Sequence, residues 1–128
     1  MNKLKITEAQ HQKNVIEWSQ NPRILAKYPG VELLYHIPNG GSRNKIEAAH
    51  LKQQGVRPGV PDLCLPVARG QYHGLYIEMK TDTGRASTEQ KDWIERLNAE
   101  GYFAEVCHGW ESAVRVLEWY LTLKEEEA

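Results

Sequence analysis

"PDLCLPVARGQYHGLYIEMK", residues 61–80, contains two apolar runs joined by a polar, glycine-containing connection, and the second run ends Tyr76-Ile77-Glu78-Met79-Lys80. That pattern predicts an antiparallel hairpin. Alternate residues of a strand share a face, so Leu75, Ile77 and Met79 are expected on the core. Tyr76, Glu78 and Lys80 then point the other way, with the two charges emerging side by side at the strand's end. Hairpin pairing brings the start of one strand beside the end of the next. Asp62, Glu78 and Lys80 are therefore expected to cluster.

Two carboxylates converging from adjacent strands make a hard-oxygen site suited to Mg²⁺ or Mn²⁺, which completes its shell with water and substrate phosphate. A neighbouring lysine can orient or deprotonate an attacking water and stabilise charge developing on phosphorus. A bare Glu-x-Lys is more simply an exposed pair on an edge strand. Pro61-Asp62, a hairpin and Glu78-x-Lys80 on an apolar strand together form the more specific pattern, that of a metal-dependent phosphodiesterase.

Outward from the hairpin the chain alternates helix and strand. Thr7 with Gln10 has capping-box spacing, and Val15, Ile16 and Trp18 recur at helical intervals up to Ser19 or Gln20, where Asn21-Pro22 ends the helix. Glu8 and Gln12 share a face with Val15, so this helix is polar at its start and apolar at its end. "VELLYHI" (31–37) is expected to be a strand, and Ser42 the N-cap of a helix ending near Gly55. "GVRPGVPD" is a loop into the hairpin. Ser87 with Gln90 opens a further helix to Gly101; "YFAEVC" is a strand and residues 110–123 a last helix. The order helix, strand, helix, hairpin, helix, strand, helix describes an α/β domain with a mixed sheet flanked by helices. The strand from Tyr102 is expected to lie parallel to its neighbour after a right-handed crossover.

With 128 residues the chain suits one domain, 1–128. No stretch is long and apolar enough for a bilayer, and the first residues lack the apolar run of a signal peptide, so a soluble cytoplasmic protein without membrane contact is expected. Cys64 and Cys107 sit in apolar strand-forming runs and are expected to be reduced core residues. The five histidines are scattered singly, which argues against zinc. Formal net charge is −1, but from Ser42 to Pro58 the cations Arg43, Lys45, Lys52 and Arg57 face Glu47 alone, while the end carries Glu125-Glu126-Glu127.

Pro61-Asp62 followed by Glu78-Met79-Lys80 resembles the signature of the PD-(D/E)XK nuclease superfamily. Glu8 with Gln12, "PNGG" before a helix, "GVRPGVPDL", "YHGLYIEMK" and "STEQKDWIERLNAEGYFAEVC" resemble its VRR-NUC (virus-type replication-repair nuclease) branch over nearly the whole chain. The resemblance implies a restriction-endonuclease-like fold and a divalent-metal endonuclease. Asp62 and Glu78 would ligate the metal, with the Met79 carbonyl as a further ligand, and Lys80 would assist the water. It also implies a catalytic contribution from Gln90 and an acidic one from Glu8. From the residues themselves, Gln90 shares an inward stripe with Ile94 and Leu97 but is equally half of a capping box with Ser87.

The loop "HIPNGGSRNK" offers backbone amides at Asn39, Gly40 and Gly41 and the cations Arg43 and Lys45 as a clamp for DNA; an ordinary strand-to-helix turn is the plainer reading. Arg57, Arg85 and Lys91 are further candidate phosphate contacts. No groove-reading motif is present, so shape rather than sequence selectivity is expected. On the last helix Trp110, Ala113, Val114, Leu117 and Leu121 form a core stripe, leaving Val116, Trp119, Tyr120 and Leu123 on a flank that could mediate self-association. Chains resembling this one are thought to act as dimers on branched DNA such as four-way junctions or flaps. The expectation is therefore a homodimeric, structure-selective endonuclease without an organic cofactor, with a non-cleaving branched-DNA-binding module as the alternative.

Overall fold

The computed structural model describes residues 5–38 and 44–125. Thr7 caps the first helix, Glu8–Ser19 (α1), its hydroxyl accepting from the Gln10 amide. The Gln10 side chain donates to Asn14 instead of reaching back, so only half of the predicted capping box forms. Asn21-Pro22 ends α1 and at once begins Pro22–Lys27 (α2), because the Asn21 side chain accepts from the Arg23 amide and proline suits a first helical turn.

The expected strand over 31–37 is mostly something else. Pro29–Leu33 is a 3-10 turn with Val31 buried, and only Tyr35–His36 (β1) pairs. Pro29 sets the backbone for that turn, which closes through Val31 N to Tyr28 O and Leu34 N to Val31 O. Lys45–Gln53 (α3) is capped by Asn44, whose side chain accepts from the Glu47 amide, whereas Ser42, the expected cap, lies outside the described residues.

The hairpin appears as Leu63–Leu65 (β2) and Leu75–Lys80 (β3), antiparallel with Leu63 opposite Ile77 and Leu65 opposite Leu75. After Thr88–Ala99 (α4), Phe103–His108 (β4) runs parallel to β3, as the intervening helix requires. Trp110–Thr122 (α5) completes the chain. Sheet order is β1-β2-β3-β4.

One face of the sheet supplies Leu63, Leu65, Leu75, Ile77, Met79 and Cys107 to a core closed by Val15 of α1 and by Ala113, Leu117 and Tyr120 of α5. Tyr120, expected on the flank, is fully buried; its hydroxyl donates to the Val67 carbonyl, which lets a phenol sit in an apolar core. Trp119 stays 44% exposed. Both cysteines are free and buried. Among the described residues no helix is long and apolar enough to cross a membrane.

The loop into β2 is fixed against α4. Trp93 Nε1 donates to the Pro58 carbonyl, and Gly59, at φ +90°, lies so close to α4 that an added Cβ would sit 2.7 Å from Glu89 backbone. Gly55 also has positive φ, +100°, but faces open space. Gly55→Ala should therefore lose only the backbone preference, about 1–2 kcal/mol, whereas Gly59→Ala adds a steric clash. Urea unfolding should rank Gly59→Ala clearly below Gly55→Ala. Equal midpoints would mean that the close approach to α4 does not constrain this loop.

Candidate metal centre

Asp62 is the residue before β2, and the β2–β3 register carried on by one position sets it opposite Glu78. The Ile37 amide donates to the Asp62 carbonyl at 2.7 Å, so the ladder extends past the named strand. The Asp62 side chain is held as well, with Oδ2 accepting from the Met79 amide at 2.8 Å. That bond ties the first carboxylate to the residue directly after the second.

Glu78 and Lys80 do not emerge into solvent as the sequence suggested. Glu78 is 2% exposed and Lys80 8%. The apolar alternation holds, but β3 is an interior strand of the sheet and the first turn of α1 reaches the charged end of its second face through Glu8. Lys80 Nζ lies 3.9 Å from Glu78 Oε2 and 3.7 Å from Oε2 of Glu8, which reaches the cluster from the first turn of α1. Carboxylate oxygens of Glu8, Asp62 and Glu78 all lie within 4.8 Å of one another. Three converging hard-oxygen donors fit a divalent cation, and this group could hold one.

Burial pushes the Glu78 carboxyl up to about 9, reinforced by a hydrogen bond with Asp62 and the proximity of its charge, while Lys80 pulls the other way and Glu8 adds to the rise. Glu78 thus keeps its proton over most of the neutral range until something positive displaces it.

The other residues singled out from the sequence are placed less decisively. Gln90 forms the full capping box with Ser87, its Oε1 accepting the Ser87 amide while the Ser87 hydroxyl accepts the Gln90 amide, so its side chain is already engaged at the start of α4. Lys45, Arg57, Arg85 and Lys91 are exposed and none makes an ion pair among the described residues. Asn39, Gly40, Gly41 and Arg43 lie outside the described residues. His11 is a packing residue, buried, with Nδ1 accepting from the Trp110 amide at the start of α5. Beyond the end of β3 a cleft of about 410 Å³ is lined by Lys5, Ile6, His11, Thr81, Asp82, Thr83 and Glu111, without Glu8, Asp62 or Glu78. Nothing in the sequence alone foretold it, because it joins residues from three separate segments.

A mixed four-stranded sheet with flanking helices and an enclosed acid-acid-lysine cluster at the end of a hairpin defines an α/β protein of nuclease type. The chain belongs to the VRR-NUC domain family, whose model matches residues 6–111. It is similar to a solved structure described as a VRR_NUC domain protein, with 35% sequence identity and a TM-score of 0.79 over 97% of this chain and 95% of the other. Comparison with curated proteins gave no match.

The Glu78 carboxyl moves from the ordinary 4.5 to about 9 on folding, so between those values the unfolded chain has released a proton that the folded one retains. Metal-free stability should be greatest below that window and fall as pH rises through it. Denaturant midpoints across the window should show this decline in wild type and a flatter profile in Glu78→Gln. A saturating divalent cation should reverse it in wild type alone, because binding requires the ionised carboxylate. Parallel pH profiles for both proteins would rule out the buried protonated carboxyl.

Proposed function

We propose that the chain is a single nuclease domain, 1–128, that hydrolyses DNA phosphodiesters with Mg²⁺ or Mn²⁺. The observation that carries this reading is the meeting of Glu8, Asp62 and Glu78 oxygens around Lys80 Nζ. Asp62 and Glu78 hold the cation, Glu8 completes the acidic shell, and the Met79 carbonyl is a further ligand. Bound there, a hard divalent ion supplies Lewis-acid stabilisation and a more acidic water.

The chain's own groups do the rest. Met79 N–H fixes Asp62, leaving its other oxygen for ligation. The enclosed position of Glu78 strengthens every charge interaction made near it. Lys80 presents an ammonium beside the carboxylates, where it can orient the attacking water and offset charge on the phosphoryl oxygens. Gln90 contributes from the start of α4, and Lys45, Arg57, Arg85 and Lys91, with Asn39, Gly40, Gly41 and Arg43, contact phosphates. Such contacts position a strand without reading its sequence, which supports selectivity for DNA structure, as in flaps or four-way junctions. Trp119, exposed against Tyr72 and Phe103, supports a homodimer.

Nicked, flap and four-way-junction DNA incubated with Mg²⁺ or Mn²⁺ should be cut by wild type. Asp62→Asn and Lys80→Ala should be slowed by roughly a hundredfold or more, the scale on which single charge-stabilising or proton-transfer groups act. Chelation of the metal should abolish cutting. Undiminished cutting by both variants would remove this site.

A further inference from the structure

The sheet face that carries Asp62, Glu78 and Lys80 has an aromatic row beside the acidic one. Tyr35 of β1 lies opposite Cys64 of β2, which lies opposite Tyr76 of β3. Residues directly opposite share a face, and strand alternation returns to that face every second residue. Cys64 is two residues after Asp62 and Tyr76 two before Glu78, so the rows run side by side about 7 Å apart. Tyr102 extends the aromatic row, its ring centroid 5.4 Å from that of Tyr76 and the planes at 74°. His73 follows, 5.7 Å from Tyr102.

This row is not used by the core. The apolar cluster draws on the opposite face, and Tyr35, Tyr76 and Tyr102 are absent from it and from the hydrophobic residues packed against it. Tyr35 is 50% exposed on a strand of two residues, while Tyr76 and Tyr102 are partly exposed. Cys64, 4% exposed, lies between Tyr35 and Tyr76 in the strand register, so the two tyrosines flank a buried thiol. The helix that follows β1 does not seal the row: no residue of α3 is buried, and Ile46 is 70% exposed.

Uncharged ring faces beside a phosphodiester site suit nucleobases, and the exposed cations Lys45, Arg57 and Lys91 on the flanking segments suit the accompanying phosphates. In a duplex the base faces are hidden in the stack; only unpaired nucleotides offer them. We propose that Tyr35, Tyr76 and Tyr102 form a stacking platform that holds unpaired nucleotides of the substrate strand next to the cleavage site. The inference rests on the nuclease reading and narrows its substrate to DNA with a single-stranded segment.

The test is fluorescence anisotropy with a labelled oligothymidylate and a labelled blunt duplex, on protein carrying Asp62→Asn throughout so that no strand is cut. Tyr35→Ala should weaken oligothymidylate binding by about tenfold and duplex binding by less than about twofold, and Tyr35→Trp should restore it. Tyr35 is half exposed on an edge strand, so an unchanged thermal melt is expected to accompany the loss. No loss, or equal loss on both probes, overturns the platform while leaving the nuclease reading intact. Failure of the parent to bind either DNA overturns both. A dimer that dissociates on Tyr35→Ala with unchanged oligonucleotide affinity would assign the row to a second copy of the chain and also overturn the proposal.

Discussion

The hydrogen bond from the Met79 amide to Asp62 Oδ2 sets the geometry on which the site depends. It adds a rung to the β2–β3 ladder beyond the last paired residues, Leu63 and Ile77, and it does so with a side chain. Because Met79 directly follows Glu78, the bond brings two carboxylates together that would otherwise repel, one of them almost wholly out of water. Such a pair persists through compensation: burial that favours the protonated Glu78, an amide donor on Asp62 and the Lys80 ammonium within 4 Å of Glu78. At the far end of β3 the Gly109 amide donates to the Lys80 carbonyl, so the strand is clamped on both sides of the charged residues. A slip of one residue would turn Glu78 and Lys80 into the apolar face and expose Ile77 and Met79. The hydrophobic pattern that builds the core therefore also fixes the orientation of the site.

That coupling explains why so much was legible beforehand. Period-two alternation in residues 75–80 separates core from site without any knowledge of neighbouring elements, and an antiparallel hairpin can join Asp62 to Glu78 in only one way. The parallel placement of β4 follows from the helix between it and β3. Glu8 could be singled out because it opens an amphipathic helix on its polar end, and the family resemblance gave that position meaning; α1 then brings it to 3.7 Å from Lys80.

Features that depended on tertiary surroundings were not legible. An apolar run such as "VELLYHI" fits a strand or a turn equally well, and Pro29 together with the burial of Val31 selects the turn. Tyr120 sits at the edge of the α5 stripe, and only the Val67 carbonyl brought to it by the fold makes burial of its hydroxyl affordable. The enclosure of Glu78 and Lys80 depended on elements distant in sequence, among them α1, whose Glu8 reaches Lys80. The tyrosine row is likewise invisible in one dimension, since its members come from β1, β3 and the residue before β4, which only the folded sheet brings together.

The near-neutral composition of the chain also gains a physical sense. Three carboxylates facing a polyanion would repel it, and the single ammonium among them leaves the cluster negative, the more so once Glu78 ionises. A hard cation there would convert the cluster from a barrier to an attractive centre for phosphate, while below about pH 9 the Glu78 proton softens the repulsion in its absence. Metal and nucleic acid would then each favour binding of the other at this site, because each supplies the charge the other needs. Exposed cations outside the cluster would provide the remaining attraction, and aromatic faces, which carry no net charge, would provide contact close to the carboxylates without adding to either sign. An overall charge near zero is thus compatible with a strongly polarised working face.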